Sequence, residues 1–419
     1  MVMVNKVEKE KDILQKKLMD KLDLQQTLSD TEIYEVIEQE IFVRAKDVYL
    51  SLEEKRMLKK ELFNTLRGLD VLSGLLEEEE ISEIMINGRE NIFIEKGGSI
   101  FKTKEVFSSE EKLRNVIQQI VSRCNRMVNE TEPIVDARLE DGSRVNVVLP
   151  PVALNGAVMT IRKFPKTFFT MDRLIEMGSV TKEAADFLKM LVRAKYNIFI
   201  SGGTGSGKTT FLNVLSNYIP GKERVITIED SAELQIHGIS NLVRLETRNA
   251  NVEGEHAINM SQLIKTALRM RPDRIIVGEV RDAAAMDMAN SMLTGHDGSI
   301  STGHGNSAKE MLLRLETMIL MGYNMPVLAI RQHLAAAIDI VVHLGRLRDG
   351  SRKVLEISEI LGVEEGEIKQ HLIFQFLEHS EKQGKVIGKL EQKAQLINLQ
   401  KLLQNGCGEE DMIEQKETI

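Results

Sequence analysis

The stretch GGTGSGKT, residues 202–209, has the residue types and spacing best suited to chemistry. It matches G-x-x-x-x-G-K-[ST] and lies between an apolar segment, NIFIS, and a helical segment, FLNVLSNYI. Glycines allow turns in which successive N–H groups face an anion, and the following helix N-terminus adds to that cradle. The pattern predicts a loop that binds ATP and Mg²⁺, with Lys208 near the outer phosphates and the Thr209 hydroxyl on the metal. The predicted nucleotide-binding residues of the loop are Gly202, Gly203, Thr204, Gly205, Ser206, Gly207, Lys208, Thr209 and Thr210.

Acidic residues follow two apolar segments farther along the chain. RVITIED ends in Glu229 and Asp230, and RIIVGEV carries Glu279. Ligands of open α/β sheets bind at the carboxyl ends of the strands, where these side chains would emerge. We therefore predict that Glu279 polarises the attacking water and that Glu229 and Asp230 hold Mg²⁺, partly through water. The alternative is that they are solvated residues at strand ends.

Two histidines, His296 and His304, lie among glycines in TGHDGSISTGHGNS. They lack the further ligands that a zinc site requires. We expect a histidine of this segment to sense the terminal phosphate or to link it to the next subunit.

Three arginines, Arg138, Arg144 and Arg162, lie on or beside predicted strands before the loop. Phosphoryl transfer requires positive charge near the developing transition state, which Arg144 and Arg162 could supply. The alternative is that they are surface charges.

The elements that must position these residues fall into five segments. Residues 1–70 are charged and helical in pattern, and residues 71–163 mix short strands with a helix. A linker is predicted over 164–180, followed by strands alternating with helices over 181–378. That alternation predicts α/β architecture with a parallel-rich sheet. Residues 379–419 are predicted to form a polar, helical tail.

Composition narrows the class of protein. The 419 residues carry a formal net charge of −8, and aromatic residues make up 4%. This balance argues against a general nucleic-acid binder and against a helicase or recombinase, which would need a basic groove with stacking aromatics. Cys124 and Cys407 predict neither a disulfide framework nor a zinc site. The charged start and the lack of a long apolar run predict a cytoplasmic protein that reaches membranes through partners.

These motifs together resemble the type II/IV secretion ATPase superfamily, and most closely its CpaF-like branch for tight-adherence (Tad) pili. The resemblance extends from about Leu69 to Phe376. It implies a RecA-like motor domain after a smaller α+β, PAS-like domain, and a homo-oligomer, expected to be a hexameric ring. The strings that carry it are SEIMING, VDARLEDGSRVN, TIRKF, SGGTGSGKTTFLN, TIEDSAELQ, VRLETR, ALRMRPDRIIVGEVRD, TGHDGS, RLETMILMG and RLRDGSR.

On matching positions, the resemblance makes Glu279 the catalytic glutamate and His296 and His304 the histidine box. It makes Arg144 and Arg162 arginines that reach the phosphates. The sequence departs from the pattern in STGHGNS, where an alanine commonly follows the second histidine, and in RDAAAMDM, where relatives often have glycines. Neither departure removes a charged catalytic group.

The resemblance implies an ATP-hydrolysing motor that powers assembly of a pilus or secretion machine. Its partner would be a polytopic inner-membrane platform protein, with no direct nucleic-acid partner. One alternative is a type IV secretion or conjugation ATPase. Another is a scaffold that binds ATP and oligomerises but hydrolyses slowly.

Overall fold

The computed structural model describes most of the chain as two compact units, residues 1–166 and 167–419. Within the part of the chain that the structure describes, no helix has the length and apolar character needed to span a membrane. The described residues are 10–11, 13–14, 17–18 and 30–406, without 67–68, 70, 125, 140, 165–168 and 249–256.

The first unit begins with two helices, α1 (Asp30–Arg44) and α2 (Leu52–Leu66). Four-residue spacing places Ile33, Ile37 and Ile41 on one face of α1, as the sequence predicts. These side chains are buried in one apolar cluster, together with Leu14, Leu18, Leu50, Leu58 and Leu62. Leu22, which the same four-residue spacing groups with Leu14 and Leu18, lies outside the described residues.

The rest of the first unit is an antiparallel sheet packed with helices, which agrees with the predicted α+β pattern. The strand order is β3-β2-β1-β6-β5-β4. The main helix begins after the N-cap Ser109, whose side chain accepts a hydrogen bond from Lys112 N. The elements are α3 (Val71–Glu77), β1 (Ile81–Asn87), β2 (Ile92–Lys96), β3 (Ser99–Lys102), α4 (Glu110–Arg123), β4 (Ile134–Arg138), β5 (Arg144–Val148) and β6 (Val158–Arg162).

The second unit is an α/β domain with a parallel-rich sheet, as predicted. The strand order is β15-β14-β13-β12-β7-β11-β10-β8-β9, and the pairs from β12 to β9 are parallel. All residues of β7 and β10 are buried, because helices cover both faces of a sheet built from crossover connections. Its first strands are β7 (Ile198–Gly202), β8 (Arg224–Glu229), β9 (Asn241–Glu246), β10 (Arg274–Val277), β11 (Ile300–His304) and β12 (Ile340–Arg346).

Helices connect these strands and cover two apolar cores, one on each face of the sheet. The predicted linker over 164–180 is in part a helix whose Met171 and Leu174 are buried in one of these cores. Residues 165–168 of that linker lie outside the described residues. The helices are α5 (Met171–Glu176), α6 (Lys182–Arg193), α7 (Lys208–Ser216), α8 (Met260–Ala267), α9 (Ala284–Leu293), α10 (Ala308–Gly322) and α11 (Val327–Ala337).

The chain end extends the sheet, so the prediction of a helical tail from residue 379 is wrong for its first part. The strands β13 (Arg352–Glu364), β14 (Glu367–Lys382) and β15 (Lys385–Gln392) are antiparallel, and the short helix α12 (Gln400–Gln404) follows them. These polar strands are stabilised by pairing with neighbours, which periodicity in one segment does not reveal. Residues 407–419, with Cys407, lie outside the described residues.

Hydrogen bonds and an ion pair hold the segment after β15 against the sheet. The carboxylate of Glu359 accepts hydrogen bonds from Ile397 N (2.9 Å) and Asn398 N (2.7 Å). Lys401 Nζ lies 2.6 Å from a carboxylate oxygen of Asp339. The chain therefore stays packed on the domain to the end of α12.

Candidate functional site

The glycine-rich loop leaves the carboxyl end of the central strand β7 and leads into α7. Gly205 and Gly207 adopt φ values of +70° and +95°, which side chains with a Cβ rarely tolerate. A Cβ on Gly202 would lie 2.5 Å from both Leu344 O and Ser206 Oγ. The backbone therefore requires glycine at these positions, and the amides at the start of α7 face the loop as an anion cradle would need.

Lys208 folds back over the loop. Its ammonium donates to the carbonyl oxygens of Gly202 and Gly203, each at 3.0 Å, and its Nζ lies 3.2 Å from His304 Nδ1. Burial lowers the pKa of Lys208, which is only 8% exposed. The cation is thus held at the mouth of the cradle, where it would meet the outer phosphates of a nucleotide.

His304 joins Lys208 to the acidic residue at the end of β10. Its Nε2 lies 2.9 Å from Glu279 Oε1, and burial lowers the pKa of the imidazole. The contact with the Lys208 ammonium assigns a neutral ring whose Nδ1 is the acceptor. Glu279 Oε1 itself is buried without a hydrogen-bond partner among the described residues, so His304 Nε2 lies close to it without a well-aligned hydrogen bond. Glu279 Oε2 accepts from Arg281 Nη2 at 2.7 Å, and Arg281 Nη1 lies 3.8 Å from Asp230 Oδ2. The sheet edge thus brings the predicted residues of three strands into one connected cluster.

Glu229 lies at the end of β8 and is almost fully buried. Its Oε2 accepts hydrogen bonds from Glu233 N (2.7 Å) and Leu234 N (2.8 Å). Its Oε1 is buried without a hydrogen-bond partner among the described residues. The pKa of Glu229 is raised to about 7, mainly because the carboxylate is buried. This oxygen is available to hold a proton or to accept a hydrogen bond from a metal-bound water.

The raised pKa of Glu229 predicts a pH dependence of stability. The ordinary pKa of this carboxyl is 4.5, so the folded protein binds the proton more tightly than the unfolded chain does. The resulting contribution to the free energy of unfolding, about 3 kcal/mol at most, is complete below pH 4.5 and is lost as the pH rises through 7. In Glu229→Gln, the free energy of unfolding is expected to change less between pH 5 and 7.5 than it does in the wild type. Urea unfolding without magnesium measures this free energy at each pH. An unchanged slope, matching that of the exposed control Glu183→Gln, would contradict this assignment.

His296 lies away from this cluster in the structure, and its place among the nucleotide-binding residues stays a prediction. It precedes β11, whose last residue, His304, pairs with Gly202 beside the loop. Five residues of extended strand span about 13 Å, so the two histidines occupy opposite edges of the sheet. Spacing alone does not show this, because the strand between the histidines is visible only once its pairing is known.

The arginines of the first unit form a row. Arg138 is the register partner of Arg144, and Arg144 is the register partner of Arg162, across β4, β5 and β6. Antiparallel partners lie about 5 Å apart at their Cβ atoms, so one sheet surface concentrates three positive charges. That Arg144 and Arg162 reach the nucleotide stays a prediction.

A cleft of ≈ 570 Å³ opens beside the loop in the second unit. Gly203 and Thr204 line one side, and the start of α10 lines the other with Glu310 and Arg314. Thr209 and Thr210 lie in the first turn of α7, behind the loop. The cleft, the glycine cradle and the cation together fit a bound polyphosphate.

Two arginines beside the loop are absent from the sequence prediction. Arg281 follows Glu279 by two residues, and a cation so close to a candidate catalytic carboxylate could have been noticed. Arg352 donates from Nε to Gly205 O at 2.8 Å across 147 residues of sequence. Only the string RLRDGSR pointed toward it, and that string gave no role.

Comparison with known proteins identifies the family of this chain. The family described as Type II/IV secretion system protein matches residues 66–410. A putative conjugal transfer protein of Mycobacterium tuberculosis (strain H37Rv) is 32% identical over 324 residues, which are 76% of this chain and 90% of that protein. The probable conjugal transfer protein TrbB of Sinorhizobium fredii is 31% identical over 296 residues, 70% of this chain and 86% of that protein.

The X-ray structure of the ATPase DotB from Legionella pneumophila superposes with a TM-score of 0.50 at 22% identity, over 70% of this chain and 80% of that one. This likeness shows a shared fold. A phosphate loop after the central strand of a parallel-rich sheet defines a P-loop protein with a RecA-like domain. The chain belongs to the type II/IV secretion system protein family. Its place in the CpaF-like branch stays a prediction.

Proposed function

We propose that this protein hydrolyses ATP to ADP and phosphate with Mg²⁺ at the loop of residues 202–210. The observation that supports this most is the connected set Lys208, His304 and Glu279 at the carboxyl edge of the sheet. It places a cation for phosphate, a neutral imidazole and a carboxylate within reach of one another. Phosphoryl transfer depends mainly on positioning and charge stabilisation, which such a set provides.

Each residue of the site has a role in this proposal. The loop amides and Lys208 bind the β- and γ-phosphates, and the Thr209 hydroxyl would ligate Mg²⁺. Glu279 orients and polarises the attacking water, Arg281 holds that carboxylate through a hydrogen bond to Oε2, and His304 lies 2.9 Å from Oε1. Mg²⁺ is commonly held by one or two carboxylates, waters and substrate phosphates. Glu229 and Asp230 would therefore bind the metal partly through water.

For the biological role, we propose a motor that powers assembly of a Tad or type IV-like pilus, or of a type II/IV secretion machine, at the cytoplasmic membrane. The protein would act in the cytoplasm as a homo-oligomer, expected to be a hexameric ring, on a polytopic platform protein. Family membership supports this class of machine. The sequence strings of the CpaF-like branch favour the pilus.

A second candidate is a traffic ATPase of type IV secretion or conjugation. The names of the relatives favour it, since both the M. tuberculosis and S. fredii proteins are described as conjugal transfer proteins. Prepilin-like genes beside this gene would favour the pilus, whereas relaxase or coupling-protein genes would favour conjugation.

The test of the activity is phosphate release by the purified full-length chain. We expect release that requires magnesium and whose rate per subunit rises with protein concentration as the oligomer forms. Turnover in the range of about 0.1–10 s⁻¹ would suit a motor, since typical enzymes work near 10 s⁻¹. Nucleotide binding without measurable release would instead identify a scaffold. Absence of both binding and release at all concentrations would overturn the proposal.

A further inference from the structure

The outer side of the phosphate loop is held by a side chain from the far part of the sheet. Arg352, the first residue of β13, donates from Nε to the carbonyl oxygen of Gly205 at 2.8 Å. Its Cδ lies 3.6 Å from the position that a Cβ on Gly207 would occupy. Arg352 therefore packs along the loop between the two glycines with positive φ, where the backbone has the most freedom.

The peptide between Gly205 and Ser206 is fixed from both of its ends. Arg352 binds its carbonyl, and Ser206 N donates to Gly203 O at 3.3 Å on the other side of the loop. In a trans peptide the carbonyl and the N–H point in opposite directions, so fixing one fixes the other. Loss of the outer contact would let this peptide rotate and change the amides offered to a phosphate.

Arg352 is itself fixed by the turn that precedes it, residues 347–351. Leu347 N donates to Ser351 O at 2.8 Å, which closes the turn. Asp349 accepts from Val386 N at 2.9 Å, and Arg348 donates to Glu378 and Glu381, each at 2.8 Å. Hydrogen bonds from Ser351 and Val386 lower the pKa of Asp349 to about 2, so it stays ionised at neutral pH. The turn is thus clamped to the hairpin of β14 and β15.

We propose that Arg352 is a positioning residue for the phosphate loop, and that the C-terminal hairpin β14–β15 sets its position through the 347–351 turn. This inference rests on the proposed binding of a nucleotide at the loop. It gives a role to a hairpin whose second strand lies in the segment from residue 379 that was predicted to be a polar tail. The contact acts on the loop backbone, so it affects the binding of the nucleotide more than the chemical step.

Three substitutions separate the hydrogen bond from the charge. Arg352→Gln keeps an N–H donor bonded to Cδ but removes the charge. Arg352→Lys keeps the charge but places the donor one bond farther from the backbone. Arg352→Ala removes both the donor and the charge. The Kd of the full-length protein for mant-ATP with Mg²⁺ is expected to rise about fivefold to tenfold in Arg352→Ala. Arg352→Gln should stay within about threefold of the wild type, and kcat in Arg352→Ala should fall by less than about threefold while KM rises.

Arg346, the exposed register partner of Arg352, offers a matched control. Arg346→Ala is expected to leave Kd within about twofold of the wild type. Arg348→Ala, which releases the hairpin from the turn, should raise Kd by about threefold with Arg352 intact. Circular dichroism and the thermal midpoint of each nucleotide-free variant identify any that fails to fold.

The outcomes separate this inference from the proposed function. Wild-type affinity in Arg352→Ala, or rescue by Arg352→Lys and not by Arg352→Gln, would overturn the role of the Nε hydrogen bond. Wild-type affinity in Arg348→Ala would overturn the role of the hairpin. Failure of the wild-type protein itself to bind mant-ATP would instead reject the nucleotide site on which both depend.

Discussion

Lys208→Ala is expected to abolish measurable nucleotide binding, with a rise in Kd of about 100-fold or more. A hydrogen bond to a charged group contributes about 1.5–3 kcal/mol, and the ammonium can donate to more than one phosphate oxygen. In the structure its donors are directed at Gly202 O, Gly203 O and His304 Nδ1, all at the mouth of the loop.

Titration with mant-ATP and a thermal-shift measurement would check this result. The nucleotide-free midpoint of Lys208→Ala should remain close to that of the wild type, because loss of the ammonium removes a buried charge as well as three contacts. The increase in midpoint that ATP gives the wild-type protein should disappear, since stabilisation by a ligand requires binding to the folded state. Lys182→Ala, at an exposed position of α6, serves as the control. Normal ATP affinity in Lys208→Ala would refute the assignment of the loop.

Glu279→Gln is expected to leave ATP binding intact and to lower turnover by about 100-fold to 1,000-fold. A positioned general base contributes about 10²–10⁴ in rate, and the amide of glutamine cannot take the proton of the attacking water. The substitution keeps the side-chain length and an oxygen that can accept from Arg281 Nη2. Its effect should therefore appear in kcat while the Kd for ATP changes little.

Single-turnover phosphate release and mant-ATP titration, run on the same preparation, measure the two quantities. Glu183→Gln makes the same chemical change on the exposed first turn of α6 and should turn over ATP as the wild type does. If Glu279→Gln keeps full turnover, then another group activates the water. Glu229 is then the next candidate, because its Oε1 is buried without a partner among the described residues.

Local patterns predicted the central part of the site well. The spacing of glycines with Lys208 and Thr209 predicted the loop, and the acidic ends of two apolar segments predicted the positions of Glu229 and Glu279. These signals succeed because a strand, a tight turn and a helix start are each specified by a few consecutive residues. The alternation of strands and helices then predicts that the carboxyl ends of the parallel strands lie at one edge of the sheet.

Contacts between distant residues could not be predicted in the same way. His296 and His304 looked equivalent in sequence, but β11 separates them to opposite edges of the sheet. The end of β14 and all of β15 fall in the segment predicted to be a helical tail, because their stability comes from hydrogen bonds to neighbouring strands. The contact of Arg352 with Gly205 spans 147 residues and leaves no local pattern.

The sequence by itself determined the glycine-rich loop, the acidic residues that follow two of the strands and the α/β class of the domain that carries them. Only the tertiary structure decided which histidine joins Lys208, how Glu229 is buried, and what supports the loop from outside. The physical reason is that turns and periodicity are encoded by neighbouring residues, whereas burial and strand pairing depend on segments that meet only when the chain folds.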